Sequence, residues 1–167
     1  PAPWLTGRSS WHLDIQSFWT PALLARAYEV SGETRYIKAA VQYVVDWGRH
    51  EASLRVPQGY FFNDHALAAR AIVVSELWRL YRGSGGYDPQ LAGDFLRYIG
   101  RLSRLLLEER LYEYRSNHGV MQCLALMHLG TAFPRLAGFD RLFDTGWQRL
   151  ERQLGFFMNA EGVILEH

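Results

Sequence analysis

A succession of helical segments, each bounded by capping and breaking residues, constrains the fold of this chain more than any other feature. Thr20-Pro21 and Asp88-Pro89 each place a capping residue before a proline, which is a common start of a helix. Ser31-Gly32 carries the glycine that commonly ends one. This punctuation and the spacing of the apolar residues predict six helices, over about residues 20–30, 34–49, 63–81, 88–109, 116–130 and 139–158.

The predicted helices differ in how their apolar side chains are distributed. Between residues 66 and 78 only Arg70, Ser75 and Glu76 are polar, and the fifth helix is similarly apolar, whereas the fourth and sixth are apolar on one face. A helix that is apolar on all sides is expected to be buried on all sides. The alternation favours an all-α fold, an incomplete (α/α) toroid of antiparallel hairpins that begin near residues 20, 64 and 117, with inner and outer helices. A plain helix bundle is the alternative, but its helices should all have similar one-sided stripes.

Composition excludes several classes of function. The formal net charge of +1 argues against a nucleic-acid partner or a polybasic membrane patch, and no apolar run approaches the roughly 18 residues of a membrane span. The single cysteine, Cys123, rules out an internal disulfide framework and a zinc ribbon. No cluster of His, Asp or Glu has the spacing of a metal site. We therefore expect no metal ion and no dissociable cofactor in this segment.

Similar residues stand at the starts of the third and fifth predicted helices. Asn63 and His65 open the third helix, and Asn117 and His118 open the fifth, although the chain has only three Asn and six His. Alternate helices of a toroid run in the same direction, so these starts should meet at one end of the ring. Helix N-termini attract anions, and nearby aromatic residues such as Tyr60 suit sugar rings. The pattern favours a binding site for an acidic ligand such as an acidic saccharide.

Structural explanations exist for the same residues. Asn and Asp are preferred N-caps, which alone accounts for Asn63 and Asn117. His128, inside the apolar fifth helix, is predicted to be a core histidine. Arg70 lies in a helix predicted to be buried, where a guanidinium needs a partner. The sequence leaves open whether that partner is a carboxylate of the protein or a bound anion.

Two segments resemble a known family of enzymes. Residues 117–122 read Asn-His-Gly-Val-Met-Gln, and residues 60–70 read Tyr-Phe-Phe-Asn-Asp-His-Ala-Leu-Ala-Ala-Arg. Together they resemble the helical domain of the heparinase II/III-like polysaccharide lyases, a group that includes heparin-sulfate, alginate and oligoalginate lyases, and the resemblance extends from about Trp11 onward. It implies a parent enzyme that cleaves a uronate-containing glycan by β-elimination. It also implies a periplasmic or secreted bacterial location, because the polymer lies outside the cytoplasm.

The resemblance implies roles for individual residues. Asn117 would hydrogen-bond the uronate carboxylate and stabilise the enolate-like charge that develops on it. His118 would act as a further donor, or as a base for one of the two uronate epimers. Gln122, one turn further along the helix, would orient His118 or the sugar. Arg70 and His65 would line the subsite and contact acidic substituents. The substrate-binding residues that we expect are Tyr60, Asn63, His65, Arg70 and Gln122.

Other parts of the family's catalytic site have no counterpart in this sequence. The family's catalytic tyrosine, its second histidine and its C-terminal β-sandwich domain are expected beyond His167. We therefore interpret residues 1–167 as a partial toroid domain that binds uronate weakly and does not turn it over alone. Two alternatives remain. One is a toroidal glycoside hydrolase or sugar epimerase, which would need two carboxylates or two histidines across the cavity; a glycosidase pair could be drawn from Asp14, Asp64 and Glu113. The other is a non-catalytic helical module that binds acidic glycans.

Overall fold

The protein is all-α in the parts that the structure describes. The computed structural model describes residues 9–54, 62–159 and 161–163. Within these ranges there are seven α-helices, a 3₁₀ turn at Glu109–Leu111 and no β-strand, which confirms the predicted fold class. None of the described helices combines the length and apolarity needed to cross a bilayer. The helices are α1 (Ser9–Gln16), α2 (Trp19–Ser31), α3 (Thr34–Ser53), α4 (Asp64–Tyr81), α5 (Pro89–Leu107), α6 (Asn117–Ala132) and α7 (Asp140–Phe157).

The starts of α4 and α5 follow the capping signals in the sequence, whereas the start of α2 does not. The Asn63 side chain accepts from the backbone N–H of Ala66, and the Asp88 side chain caps α5 in the same way. The prediction is wrong at α2, which begins at Trp19, so that Thr20 lies inside the helix. Phe18 precedes α2 with φ 64°, and its buried ring contacts Tyr43 and Trp47. Tertiary packing of this ring therefore decides where α2 begins. The short α1 was not predicted.

Alternate helices form two layers. Consecutive helices pack as the pairs α2–α3, α4–α5 and α6–α7. In addition, α4 contacts both α2 and α6, while α5 contacts α3 and α7. One layer is therefore α2, α4 and α6, and the other is α3, α5 and α7. This is the alternation that the apolar pattern predicted; its closure into a toroid stays a prediction.

The core lies between these layers and depends on close approach of backbones. Its fully buried side chains include Val44 of α3, Phe95 and Ile99 of α5 and Leu126 of α6. Gly48 of α3 faces α5, where an added Cβ would lie 2.9 Å from Cδ2 of Tyr98. Such a distance is shorter than carbon atoms tolerate, so any side chain at this position would push α3 and α5 apart.

Two predictions about burial are wrong. His128 is not in the core: it is exposed and lines a cavity with Ser75, Glu76 and Thr131. The apolar composition of α6 therefore does not mean burial on every side within the described residues. Conversely, the one-sided apolar pattern of the sixth predicted helix places Arg149 on its polar face, but the side chain is buried and donates to the carbonyls of Leu106 and Leu107. Its long side chain reaches the carbonyls that end α5, which a hydrophobicity pattern does not reveal.

Candidate functional site

The N-terminal ends of α4 and α6 meet, and we call residues 63–65 and 116–118 the α4–α6 mouth. Nδ1 of His118 lies 2.7 Å from Oδ2 of Asp64, which is hydrogen-bonding distance. The ring of His65 lies 5.2 Å from that of His118, measured between centroids. Asp64 is the first residue of α4 and His118 the second of α6. Packing of α4 against α6 therefore brings His118 beside Asp64 and His65, from which it is distant in sequence.

The mouth is partly open to solvent. The side chain of Asp64 is 17% exposed and that of His118 is 45% exposed. His65 is half-buried, and its Nδ1 has no hydrogen-bond partner among the described residues. A carboxylate that is mostly shielded beside a half-exposed imidazole can orient the ring while one of its edges stays accessible.

The two asparagines of the mouth differ in what occupies their side chains. Oδ1 of Asn63 accepts from the backbone N–H of Ala66 at 3.2 Å and thereby caps α4. The cap of α6 is Ser116, whose hydroxyl accepts from the N–H of Gly119 at 3.0 Å. Asn117 is therefore not needed as a cap. Its side chain is exposed and hydrogen-bonds to no described residue, so its amide is available to a ligand.

Gln122 holds the loop that leads into α6. It is 1% exposed; its Oε1 accepts from the N–H of Glu113 at 2.9 Å and its Nε2 donates to the carbonyl of Leu111 at 2.6 Å. Both ends of the amide are thus occupied by backbone groups. Gln122 supports the backbone before the mouth, and we do not include it among the proposed ligand contacts.

Gly119 allows the loop that leads into α6 to pass close to the first turn of the helix. A Cβ at this position would overlap the carbonyl oxygen of Glu113 and the side-chain amide of Gln153. Gln153 of α7 also supports the loop: its Oε1 accepts from the N–H of Arg115 at 3.0 Å. This packing gives a physical reason for the glycine that follows Asn117-His118. The sequence does not single out Gln153, because a lone glutamine on an amphipathic helix gives no signal of a long-range contact.

Arg70 has a protein carboxylate as its partner. It is fully buried; its Nη1 donates to Oε2 of Glu51 at 3.0 Å, and its guanidinium carbon lies 5.0 Å from the ring centroid of Trp47. Glu51 also accepts from Arg101. Of the two alternatives left open by the sequence, the structure favours the internal carboxylate. Arg70 is not brought to the mouth with His65 and His118.

The described tyrosines near the mouth are engaged elsewhere. The hydroxyl of Tyr112 donates to the carbonyl of Arg149 at 3.3 Å, and that of Tyr114 donates to the carbonyl of Arg152 at 3.5 Å. Burial raises the pKa of Tyr112, with its contact to Cys123 adding to the effect. This phenol therefore stays protonated at neutral pH and is unsuited to remove a proton. Tyr60 lies outside the described residues.

A metal site is not evident in the described part of the chain. No group of three or more His, Cys, Asp or Glu side chains is arranged there to hold an ion. Burial raises the pKa of the Cys123 thiol, so this residue is a poor nucleophile and a poor ligand. The chemistry available at the mouth is therefore that of an exposed amide, two imidazoles and a carboxylate.

Comparison with known proteins gives one finding. The family model described as heparinase II/III N-terminus matches residues 7–167. No curated protein and no solved structure matches the chain significantly. The matched range contains the whole α4–α6 mouth.

Proposed function

Because the chain belongs to the heparinase II/III family, matching its N-terminal domain, we propose that it is the helical part of a polysaccharide lyase that cleaves a uronate-containing glycan by β-elimination. The observation that carries this proposal is the side-by-side placement of the free Asn117 amide and the half-exposed His118 imidazole at a helix N-terminus. We propose that both contact the carboxylate of a bound uronate. The N-terminal end of α6 adds a favourable electrostatic environment for an anion.

The difficult step of β-elimination is removal of the proton on the carbon next to the uronate carboxylate. That proton becomes acidic only when the charge developing on the carboxylate is stabilised. The amide N–H groups of Asn117 suit this task, since they are not used within the described protein. His118 would contribute either a second hydrogen bond to the carboxylate or a base for the proton. His65, which packs on His118, would complete the wall of the subsite, with Asn63 beside it.

The general acid is proposed to come from another part of the parent enzyme. Tyr112 and Tyr114, the described tyrosines near the mouth, direct their hydroxyls to backbone carbonyls. We accordingly propose that this segment alone binds an acidic oligosaccharide weakly and does not cleave it. A polymer substrate also implies a periplasmic or secreted location for the parent enzyme.

The decisive experiment is a comparison of two variants in the whole parent enzyme. Asn117→Ala should lower the rate of unsaturated-uronate formation by about 100-fold or more, because it removes a donor that acts on developing charge. The control is Glu113→Gln, which changes an exposed carboxylate beside the mouth and should leave the rate within about twofold.

The reverse result, a mild effect of Asn117→Ala and a severe effect of Glu113→Gln, would support the carboxylate form of the glycoside hydrolase or epimerase alternative. Asp64 does not separate these hypotheses, because it contacts His118 and its loss affects both. Saccharide binding without turnover in the whole enzyme would favour the non-catalytic module. Arg70→Ala is not diagnostic of that module, since Arg70 is buried against Glu51.

A further inference from the structure

We propose that Asp64 is a positioning residue that fixes the tautomer of His118, so that Nε2 is the nitrogen that His118 presents to a bound ligand. The proposal concerns two side chains whose contact the sequence did not predict. The assignment of the tautomer depends only on contacts between described residues. The identity of the ligand, a uronate, rests on the function proposed above.

The tautomer follows from the chemistry of the contact. An ionised carboxylate only accepts hydrogen bonds, so Nδ1 of His118, 2.7 Å from Oδ2 of Asp64, must carry a hydrogen. In the neutral imidazole the other nitrogen then has no hydrogen and offers a lone pair. If the ring gains a second proton, that proton is placed on Nε2. In both charge states, therefore, Nδ1 faces Asp64 and Nε2 is the functional nitrogen.

The surroundings hold this arrangement in place. Asp64 is the first residue of α4, directly after the Asn63 cap, where the helix dipole stabilises a negative charge. Its side chain is only 17% exposed, which limits competition from water. The ring of His65 packs 5.2 Å from that of His118 and restricts its rotation. Nε2 of His118 has no hydrogen-bond partner among the described residues, and the side chain is 45% exposed.

The arrangement assigns different tasks to neighbouring residues. Neutral His118 can only accept a hydrogen bond at Nε2, which is what a base for the α-proton must do. The donor role toward the carboxylate then belongs to the amide of Asn117. His118 donates at Nε2 only after it has gained a proton. The resemblance leaves two roles open for His118, base and hydrogen-bond donor. These roles correspond to the neutral and the protonated ring, and both act through Nε2.

Asp64 also has a purely structural explanation, since an acidic residue in the first turn stabilises a helix. The test must therefore read the imidazole itself. We would label the chain with ¹⁵N-histidine and record long-range proton–nitrogen spectra of the side chains at a pH where His118 is neutral. The expected result is a His118 spectrum of the Nδ1–H tautomer. Asp64→Ala should convert it to the ordinary tautomer mixture.

The chain offers a matched control. Asp140 is the first residue of α7, as Asp64 is of α4, but it is exposed and has no partner among the described residues. Asp140→Ala removes the same charge from the same helix position and should leave the His118 spectrum unchanged. His50 and His128 provide internal references. If Asp64→Ala does not fold, the wild-type spectrum still decides, because a dominant Nε2–H form of His118 would overturn the proposal.

A titration separates this inference from the proposed function. The probe is an alginate-derived uronate trisaccharide, added to the wild-type chain. A change at Nε2 of His118 larger than at His50 and His128 supports both proposals. An Nδ1–H tautomer that the trisaccharide does not perturb supports positioning by Asp64 and contradicts the proposed uronate site. In the parent enzyme, Asp64→Ala should lower kcat about tenfold or more and change KM less, and Asp64→Glu should partly restore kcat.

Discussion

Helix α4 carries two ionic contacts of opposite character, about one and a half turns apart. Arg70 is fully buried, and its partner Glu51 also accepts hydrogen bonds from Trp47 and Arg101. Asp64 lies at the open end of the same helix and pairs with a histidine that is 45% exposed. The contact between Arg70 and Glu51 links α4 to α3, and both of its charged groups are shielded from solvent. The contact between Asp64 and His118 leaves Nε2 of the imidazole without a hydrogen-bond partner among the described residues. The difference shows that an ionisable residue on a buried helix indicates function only where part of it stays accessible.

The largest effect is expected from breaking the buried contact. Glu51→Gln should lower the free energy of unfolding by about 3–5 kcal/mol, because it leaves Arg70 buried without a counter-charge. Chemical denaturation monitored by tryptophan fluorescence measures this change. Glu76→Gln is the control: it breaks an exposed contact between Glu76 and Arg79 and should change stability by less than about 1 kcal/mol.

A loss below about 1 kcal/mol for Glu51→Gln would contradict this interpretation of the buried contact. It would mean that Arg70 relaxes toward solvent or that water compensates its charge. The contrast between the two ionic contacts on α4 would then disappear.

An intermediate loss of stability is expected at Gly119, where α6 packs closely against the loop that precedes it. Gly119→Ala should destabilise the protein by about 1–3 kcal/mol, because its Cβ would overlap the carbonyl of Glu113 and the amide of Gln153. The loop that precedes Asn117 must then move. The matched control is Gly100→Ala in α5, where an added Cβ meets nothing within 4 Å and higher helix propensity should stabilise slightly. Equal effects of the two variants on the unfolding midpoint would contradict the proposed close approach.

The sequence indicates where the α4–α6 mouth lies but not which residues support it. The capping signals at Asn63 and at Ser116-Asn117 mark the starts of α4 and α6 because capping is a local interaction. The partner of Arg70 could not be identified, since Glu51 lies on another helix and many acidic residues were equally eligible. For the same reason the sequence did not pair Asp64 with His118. Contacts between helices depend on packing angles and rotamers, which a pattern of residue types does not specify.

A smaller effect should separate capping from ligand binding at α6. Ser116→Ala removes the hydroxyl that accepts from the N–H of Gly119 and should cost about 1 kcal/mol of stability. Asn117→Ala, one residue later, should change stability by less than about 0.5 kcal/mol, because its exposed side chain contacts no cap group. Denaturation midpoints of both variants measure the difference. A larger loss for Asn117→Ala than for Ser116→Ala would show that Asn117 is structural and would weaken its proposed role.

The smallest effect on stability is expected at high pH. There Tyr98 reports on the buried contact between Arg70 and Glu51, and Tyr112 reports on the surroundings of the α4–α6 mouth. Burial raises the pKa of Tyr98, which lies against the buried contact of Arg70, and of Tyr112, which lies in the loop that leads into α6. A phenol whose pKa is higher in the folded protein than in the unfolded chain contributes stability below about pH 10 and loses it as pH rises further. The free energy of unfolding should therefore fall above about pH 10, and Tyr98→Phe should reduce the slope. An absorbance titration should show these two phenols ionising after the exposed ones, together with Tyr43 and Tyr81, whose pKa burial also raises. If Tyr112 ionised with the exposed tyrosines while Tyr98 did not, the loop before α6 would be open to solvent, and the support that we attribute to Gln122 and Gln153 would be wrong.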